Sequence, residues 1–449
     1  MSLKASISGV RGIVGESLTP PIIFHYVMAF ASIMKEGKIL IGRDSRISGE
    51  VIANFVKSTL NSAGRDVVDI GIVPTPVVLF GVKENDFAGG IIITASHNPE
   101  QWNALKFVNS KGKFISPEEF NLLQQKYNER KFSFSTYKNL GRMSSDAEIV
   151  KFHRKKILDF IDKKSIENKN FKVALDTVNG AGGDSSIDLL QELGCKIKDI
   201  NTEPTGIFAH PPEPTPKNLT ELSELIKKED IDVGFALDPD GDRLVIADEK
   251  GCVISEELTL ALCVKHYLSN YEKTDVVINL STSRVIEDVA KEYGCKVARV
   301  PTGEINVTEE MEKIGSTIGG EGNGGIIAYK INKCRDALVG IALILEMLAK
   351  TNKKLSEIIK QLPEYTLIKE KIEGENIDFA KVESSIKEIF KNEKIDTRDG
   401  IRVDFSDKWV LIRKSNTEPI VRIFAEAKTQ SLAYELIEKV KNITQISTD

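Results

Sequence analysis

The chain has 449 residues, with 61 Lys or Arg against 66 Asp or Glu, a net charge of −5, 41% apolar residues and 28% charged ones. That length and apolar share fit about three domains with full cores and exclude wholesale disorder. The acidic balance excludes a general nucleic-acid binder, and no apolar run is long enough to span a bilayer. Five scattered cysteines without a CxxC pair read as reduced thiols. No charged-then-apolar leader opens the chain, so a cytoplasmic location is expected.

In chain order, residues 21–34 predict a buried helix, with Thr19 as N-cap and Pro20 in the first turn. Lys38-Ile-Leu-Ile-Gly predicts a strand, followed by a helix over 49–63. Ile91-Ile-Ile-Thr, Val173-Ala-Leu-Asp, Val233-Gly-Phe-Ala-Leu and Val276-Val-Ile-Asn predict further strands. Helical periodicity over 147–163, 184–193 and 284–292 separates them. That alternation predicts parallel sheets with crossover helices, and the apolar strands predict cover on both faces. The polar stretch 127–145 marks a first boundary, and the turn before Cys252 marks another. Five prolines between Pro204 and Pro216 predict a rigid surface excursion, or a proline-rich ligand for a partner domain. The last part reads as helix, strand, strand, helix, with residues 401–405 and 409–413 paired antiparallel. The first three units share a pattern that suggests one repeated architecture.

Polar clusters follow these strands, where ligands bind in open α/β sheets. Ser96-His97-Asn98-Pro99, with Lys106 nearby, offers a nucleophile or phosphate carrier, or an ordinary Ser-initiated turn. It lacks the GxSxG elbow of acyl-transfer hydrolases. Asp238-Pro239-Asp240-Gly241-Asp242-Arg243 sets three carboxylates at alternate positions, which suits a hard divalent cation such as Mg²⁺ or Ca²⁺. An EF-hand fails, because Arg243 stands at its glycine position and Leu244-Val-Ile-Ala continues as a strand. A solvated acidic turn is the alternative, and Arg243 offers a phosphate contact instead. Gly319-Gly-Glu321-Gly-Asn323-Gly-Gly325 permits close approach to a ligand, and Glu321 and Asn323 suit sugar hydroxyls; a flexible hinge is equally consistent. Arg413-Lys-Ser415-Asn416-Thr417-Glu-Pro419, with Arg422, makes an anion cradle or a plain hairpin turn. Together the clusters suggest phosphoryl transfer on a small phosphorylated polyol.

In family order, Ser8-Gly-Val-Arg11-Gly12, Thr94-Ala-Ser96-His97-Asn98-Pro99, the three-aspartate loop, the Glu321 loop and the Arg413–Pro419 loop resemble the motifs of the α-D-phosphohexomutase superfamily. The resemblance runs along essentially the whole chain. It implies three similar mixed-sheet α/β domains plus a C-terminal α+β domain around a central cleft, with units at 1–148, 149–251, 252–366 and 367–449. It implies a phosphoserine at Ser96, and Mg²⁺ held by Asp238, Asp240, Asp242 and a phosphoserine oxygen. Lys106 would be the base, with Arg11 and His97 stabilising or relaying charge. Arg243, Thr302, Gly303, Glu321, Asn323, Arg413, Ser415, Asn416, Thr417 and Arg422 would bind substrate. A sugar 1,6-bisphosphate would be the intermediate between a 6-phosphate and a 1-phosphate. The implied partners are small sugar phosphates, with no nucleic acid and no membrane, for a monomer or homodimer.

The chain departs from the usual pattern at three places. Asn323 and Gly325 stand where many members have Ser and His, Asn416 where Gly is usual, and Ala104 where Gly often occurs. The Asn323/Asn416 pattern resembles a branch that acts on glucosamine phosphate, so that sugar leads, with glucose or mannose phosphate next. A phosphatase or phosphotransferase with the same Ser and metal, and a non-catalytic sugar-phosphate sensor, are the other readings.

Overall fold

A computed structural model describes residues 3–373, 377–414 and 420–446. Ser415, Asn416 and Thr417 lie outside the described residues.

The first sheet holds β1 (Lys4–Ser6), β2 (Gly9–Ile13), β3 (Ile39–Arg43), β4 (Val67–Ile72), β5 (Gly89–Ile93), β6 (Trp102–Asn109) and β7 (Met143–Ser144), in the order β1-β2-β6-β5-β3-β4-β7. The second holds β8 (Lys172–Asp176), β9 (Lys196–Ile200), β10 (Val233–Leu237) and β11 (Leu244–Ala247), ordered β11-β10-β8-β9. The third holds β12 (Val276–Asn279), β13 (Val297–Val300), β14 (Ile318–Glu321) and β15 (Gly325–Ala328), ordered β13-β12-β14-β15.

These three sheets repeat one topology. In β3–β6, β8–β11 and β12–β15 the first strand lies between the second and third, all parallel, and the fourth pairs antiparallel with the third. The hairpin from third to fourth strand carries Ser96 in the first sheet, the three aspartates in the second, and Asn323, just after Glu321, in the third. Three of the four sequence clusters therefore occupy the same place in one fold.

The all-apolar run in β5 has a simple cause. Ile91 and Ile93 enter the core on one face of the sheet, while Ile92 joins Leu40 and Val108 on the other. The helix Pro20–Ile33 covers the first face, with Thr19 as N-cap and Pro20 at its start. The second and third sheets share one core that runs from Ile157 to Leu362.

The C-terminal unit differs from the helix-strand-strand-helix expectation. It is a five-stranded antiparallel sheet of β16 (Thr366–Glu373), β17 (Lys394–Asp396), β18 (Ile401–Asp404), β19 (Trp409–Lys414) and β20 (Ile420–Ala427), ordered β16-β20-β19-β18-β17. Helices Phe379–Ile389 and Gln430–Ile446 accompany it. The expected pairing of residues 401–405 with 409–413 is present, as Ile401 faces Ile412 and Asp404 faces Trp409. β16 was hidden because it lies at a sheet edge, where Lys369, Lys371 and Glu373 are exposed and mimic a charged helix. Leu280, Trp409 and Leu411 seat this unit on the third sheet. No helix among the described residues is long and apolar enough to cross a membrane.

Candidate active site

The Ser96 loop is held from below by one side chain. Arg46 follows β3 and is 1% exposed. Its Nε donates to Asp44 Oδ2, Nη1 to the carbonyls of Pro99 and Trp102, and Nη2 to those of Ser96 and Asn98, at 2.5–3.0 Å. All five guanidinium N–H groups are thus used. Thr94 Oγ1 donates to the same Asp44 oxygen and accepts from the Ser96 backbone N–H. So clamped, Ser96 takes a φ of +50°, a left-handed conformation rare for a residue with a Cβ. The proline-rich excursion packs here too: the Phe208 ring lies 5.0 Å from the Arg46 guanidinium carbon, and Phe208 N–H donates to Glu100. This face of the excursion is turned to the serine loop.

Ser96 Oγ donates to Asp238 Oδ2 at 3.0 Å and lies 3.4 Å from His97 Nδ1. Lys106, on β6, donates from Nζ to Asp240 Oδ2 at 2.7 Å, and Thr75 Oγ1 donates to the same oxygen. Arg11, on β2, donates to Asn98 Oδ1 at 2.8 Å. The nearby charge of Arg243, then burial and Arg11, hold His97 well below the usual imidazole range. That surrounding charge disfavours the imidazolium form.

Asp238, Asp240 and Asp242 are almost fully buried, and one oxygen from each lies within 4.8 Å of the others. Burial, then the charges of Asp240 and Asp242, raise Asp238 well above the carboxylate range. Burial works against Asp240 as an anion, yet Lys106 keeps it below that range. Asp240 Oδ1 and Asp242 Oδ1 are buried without a hydrogen-bond partner. Hard, crowded, unpartnered oxygens of this kind fit a divalent cation such as Mg²⁺. Arg243 Nε stands 3.8 Å from both Asp238 and Asp242, beyond hydrogen-bond range.

Glu321 ends β14. Its Oε1 accepts from Asn279 Nδ2 and the Gly303 N–H, and its Oε2 from Arg335 Nη1 at 2.9 Å. Those donors, led by the Arg335 charge, hold Glu321 ionised despite its burial. Asn323 Oδ1 accepts from Gly325 N–H. The Thr302 N–H donates to Asp399 Oδ2, while Thr302 Oγ1 is buried without a partner.

Asp399 reaches the last cluster, because its Oδ1 accepts from Arg413 Nε at 2.8 Å. Arg413 and Arg422 stand directly opposite on β19 and β20, and Lys371 stands opposite Arg422 on β16. Like charges in such a row repel, and Asp399 offsets the charge of Arg413. Ser415, Asn416 and Thr417 belong to the hairpin tip outside the described residues.

The structure thus brings the described candidates together. Polar contacts link Ser96 to Asp238, Asp242 to Arg335, Arg335 to Glu321, Glu321 to Gly303, and Thr302 through Asp399 to Arg413. Arg46, Arg335, Lys371 and Asp399 were missed in the sequence. Arg46 could have been found, since Arg43-Asp-Ser-Arg46 directly follows an apolar strand. Arg335 could not, as nothing in its spacing ties it to Glu321.

Four family models match in succession: Phosphoglucomutase/phosphomannomutase alpha/beta/alpha domain I over residues 3–134, domain II over 151–251, domain III over 256–365, and the C-terminal domain over 367–443. A Thermococcus kodakarensis phosphoglucomutase/phosphomannomutase is 37% identical over 438 residues, 96% of each chain. The chain belongs to the phosphoglucomutase/phosphomannomutase family. It is a phosphohexomutase by that membership. Phosphoglucosamine mutase of Methanococcus vannielii is 34% identical, again over 96% of each chain. A family protein from Burkholderia thailandensis superposes with TM-score 0.87 at 25% identity, covering 99% of this chain and 97% of its own. Aspergillus fumigatus N-acetylphosphoglucosamine mutase, solved with GlcNAc-6P and magnesium, shares the fold at TM-score 0.62 and 15% identity, covering 100% of this chain and 96% of its own.

Proposed function

We propose that the chain interconverts the 6-phosphate and 1-phosphate of a hexosamine, with glucosamine phosphate as the leading substrate. Ser96 carries the phosphoryl group, and a sugar 1,6-bisphosphate is the intermediate. The observation that carries this reading is the 3.0 Å contact between Ser96 Oγ and Asp238 of the buried aspartate cluster. A carrier oxygen beside a divalent-cation cage is what phosphoryl transfer requires.

Asp238, Asp240 and Asp242, with a phosphoserine oxygen, would hold Mg²⁺. When bound, the ion neutralises charge on the transferring group. Arg243, 3.8 Å from Asp238 and Asp242, and Arg11, held to Asn98 of the serine loop, add positive charge. As the bond from Ser96 Oγ to phosphorus breaks, a bond forms from the sugar hydroxyl, whose proton is accepted by His97, or by Lys106 in its neutral amine form, released from the contact with Asp240. In the return step the other phosphoryl goes back to Ser96, and that proton returns to the sugar oxygen. Arg413, Arg422, Ser415, Asn416 and Thr417 grip the phosphate that is not moving. That grip must ignore which carbon bears the phosphate, because the sugar reverses between the two steps. Glu321, Asn323, Thr302 and Gly303 read the sugar, with the unpartnered Thr302 hydroxyl as a free contact.

The glucosamine preference is supported by the Asn323 loop and the 34% identical phosphoglucosamine mutase. Glucose or mannose phosphate is the second reading, favoured by the 37% identical relative. We place the units at 1–148, 149–251, 252–366 and 367–449, bounds that enclose the four matched segments. Five free cysteines support a reducing, cytoplasmic setting.

Ser96→Ala tests the mechanism. The variant should fold, lose turnover, and lose the phosphorylated fraction that intact mass shows at Ser96. Retained turnover rejects the phosphoserine route. Comparing kcat/KM on glucosamine, glucose and mannose phosphates decides the sugar.

A further inference from the structure

We infer that Arg335 is a positioning residue that sets Glu321 in register with the aspartate cluster and excludes any side chain at position 325. This rests on the reading of Glu321 as the sugar-facing carboxylate. Arg335 lies between β15 and the helix Ala337–Thr351, and is 9% exposed. Its three nitrogens each take a different carboxylate: Nε to Glu304 at 2.9 Å, Nη1 to Glu321 at 2.9 Å, and Nη2 to Asp242 at 2.6 Å. One rigid fork therefore joins the functional hairpins of the second and third sheets. Only a guanidinium presents donors in that fixed geometry; an ammonium is a single point charge.

The base of the fork is anchored as firmly as its tip. The next residue, Asp336, caps the helix through the N–H groups of Leu338 and Val339. Its other oxygen meets buried His153 at 2.7 Å and Asn332 at 3.0 Å. Along the stem, a Cβ at position 325 would stand 2.1 Å from Arg335 Cδ and 2.8 Å from Cγ. Gly325 has no left-handed φ, so the exclusion is one of volume and not of backbone. Position 325 is glycine because Arg335 occupies its space, and the occupant steers Glu321.

Stem and fork separate by mutation. Arg335→Met keeps much of the stem and removes the fork, Arg335→Ala removes both, and Arg335→Lys keeps a charge. We expect Arg335→Met and Glu321→Gln each to lower kcat/KM by about tenfold or more, the worth of one hydrogen bond to a charged group. The double variant should fall less than the product of the singles, because both remove the Arg335–Glu321 contact, while the Asp242 and Glu304 contacts go only with Arg335. Arg335→Lys should recover part of the loss. Gly325→Ala should lower the melting temperature in the parent chain and not in Arg335→Ala. If Arg335→Ala does not fold, the Arg335→Met and Glu321→Gln cycle decides alone. The cycle is repeated as sugar-phosphate Kd values in the Ser96→Ala background. There it reads binding even if the parent shows no mutase turnover, so failure of the mechanism is separable. Multiplicative losses in the cycle, or an unchanged Kd in Arg335→Met, overturn the inference.

Discussion

Arg46→Lys tests whether the serine loop is held or merely present. Arginine uses five N–H donors here, four on loop carbonyls and one on Asp44. Lysine has three donors on one nitrogen, so at least two acceptors lose their donor at position 46. Asp44 keeps Thr94 and the Pro99 carbonyl keeps the Trp102 N–H, so the contacts at stake are those of the Ser96, Asn98 and Trp102 carbonyls, and one left without a donor costs about 1–3 kcal/mol. That is a large share of the 5–15 kcal/mol typical of a folded domain. The left-handed Ser96 adds about 1–2 kcal/mol of strain that relaxes once the clamp is gone. The loop should therefore shift before the sheet unfolds, because β5 and β6 retain their own pairing. The assays are thermal melting and kcat/KM on the sugar phosphate. Turnover should fall by about two orders of magnitude or more, as expected for misplaced reacting atoms, alongside a lower melting temperature. Wild-type kcat/KM and an unchanged melting temperature would refute the clamp.

Three further outcomes follow from other contacts. Burial, opposed by Lys369, raises Glu257 to about 7 from its unfolded 4.5; a raised carboxyl makes the folded state hold the extra proton, so stability is highest below the unfolded value and falls as pH rises from about 4.5 to 7. Glu257→Gln should flatten that slope by about 3 kcal/mol in urea melts, and an unaltered slope would exclude the assignment. Mg²⁺ at about 100 times its Kd should stabilise the chain by about 2.7 kcal/mol, chelation should remove that gain together with turnover, and Asp240→Asn should show no gain. Asp399→Ala frees both Arg413 and the Thr302 N–H, so KM for sugar phosphate should rise about tenfold with little change in kcat; an equal fall in kcat instead would place Asp399 in the chemical step.

Much of the site could be read from the sequence because its residues sit next to strands. Ser96 follows Ile91-Ile-Ile, and Asp238 follows Val233-Gly-Phe-Ala-Leu, so local pattern fixes their address at strand ends. Arg335 and Asp399 escaped because their partners lie in other segments. Arg335 meets Asp242 across 93 positions, and Asp399 meets Thr302 across 97. No periodicity reports such contacts. β16 escaped because edge exposure gives it the charges of a helix, and the repeated strand order emerged only from hydrogen-bond pairing. His97 illustrates the limit for electrostatics: its residue type allowed a cation, and only the three-dimensional neighbourhood, Arg243 first, then burial and Arg11, disfavours that form.

The single apolar interior common to the second and third sheets has a thermodynamic consequence. Ile157 and Leu362 stand at opposite ends of two sequence modules, yet they melt out of the same oil-filled volume. The C-terminal sheet has its own interior and meets its neighbour through a small apolar seam and a set of polar contacts, among them Arg402 to the Leu280 carbonyl and Thr302 to Asp399. Calorimetry should therefore resolve fewer cooperative units than the four modules of the gene, with the middle pair unfolding as one and the last able to detach first.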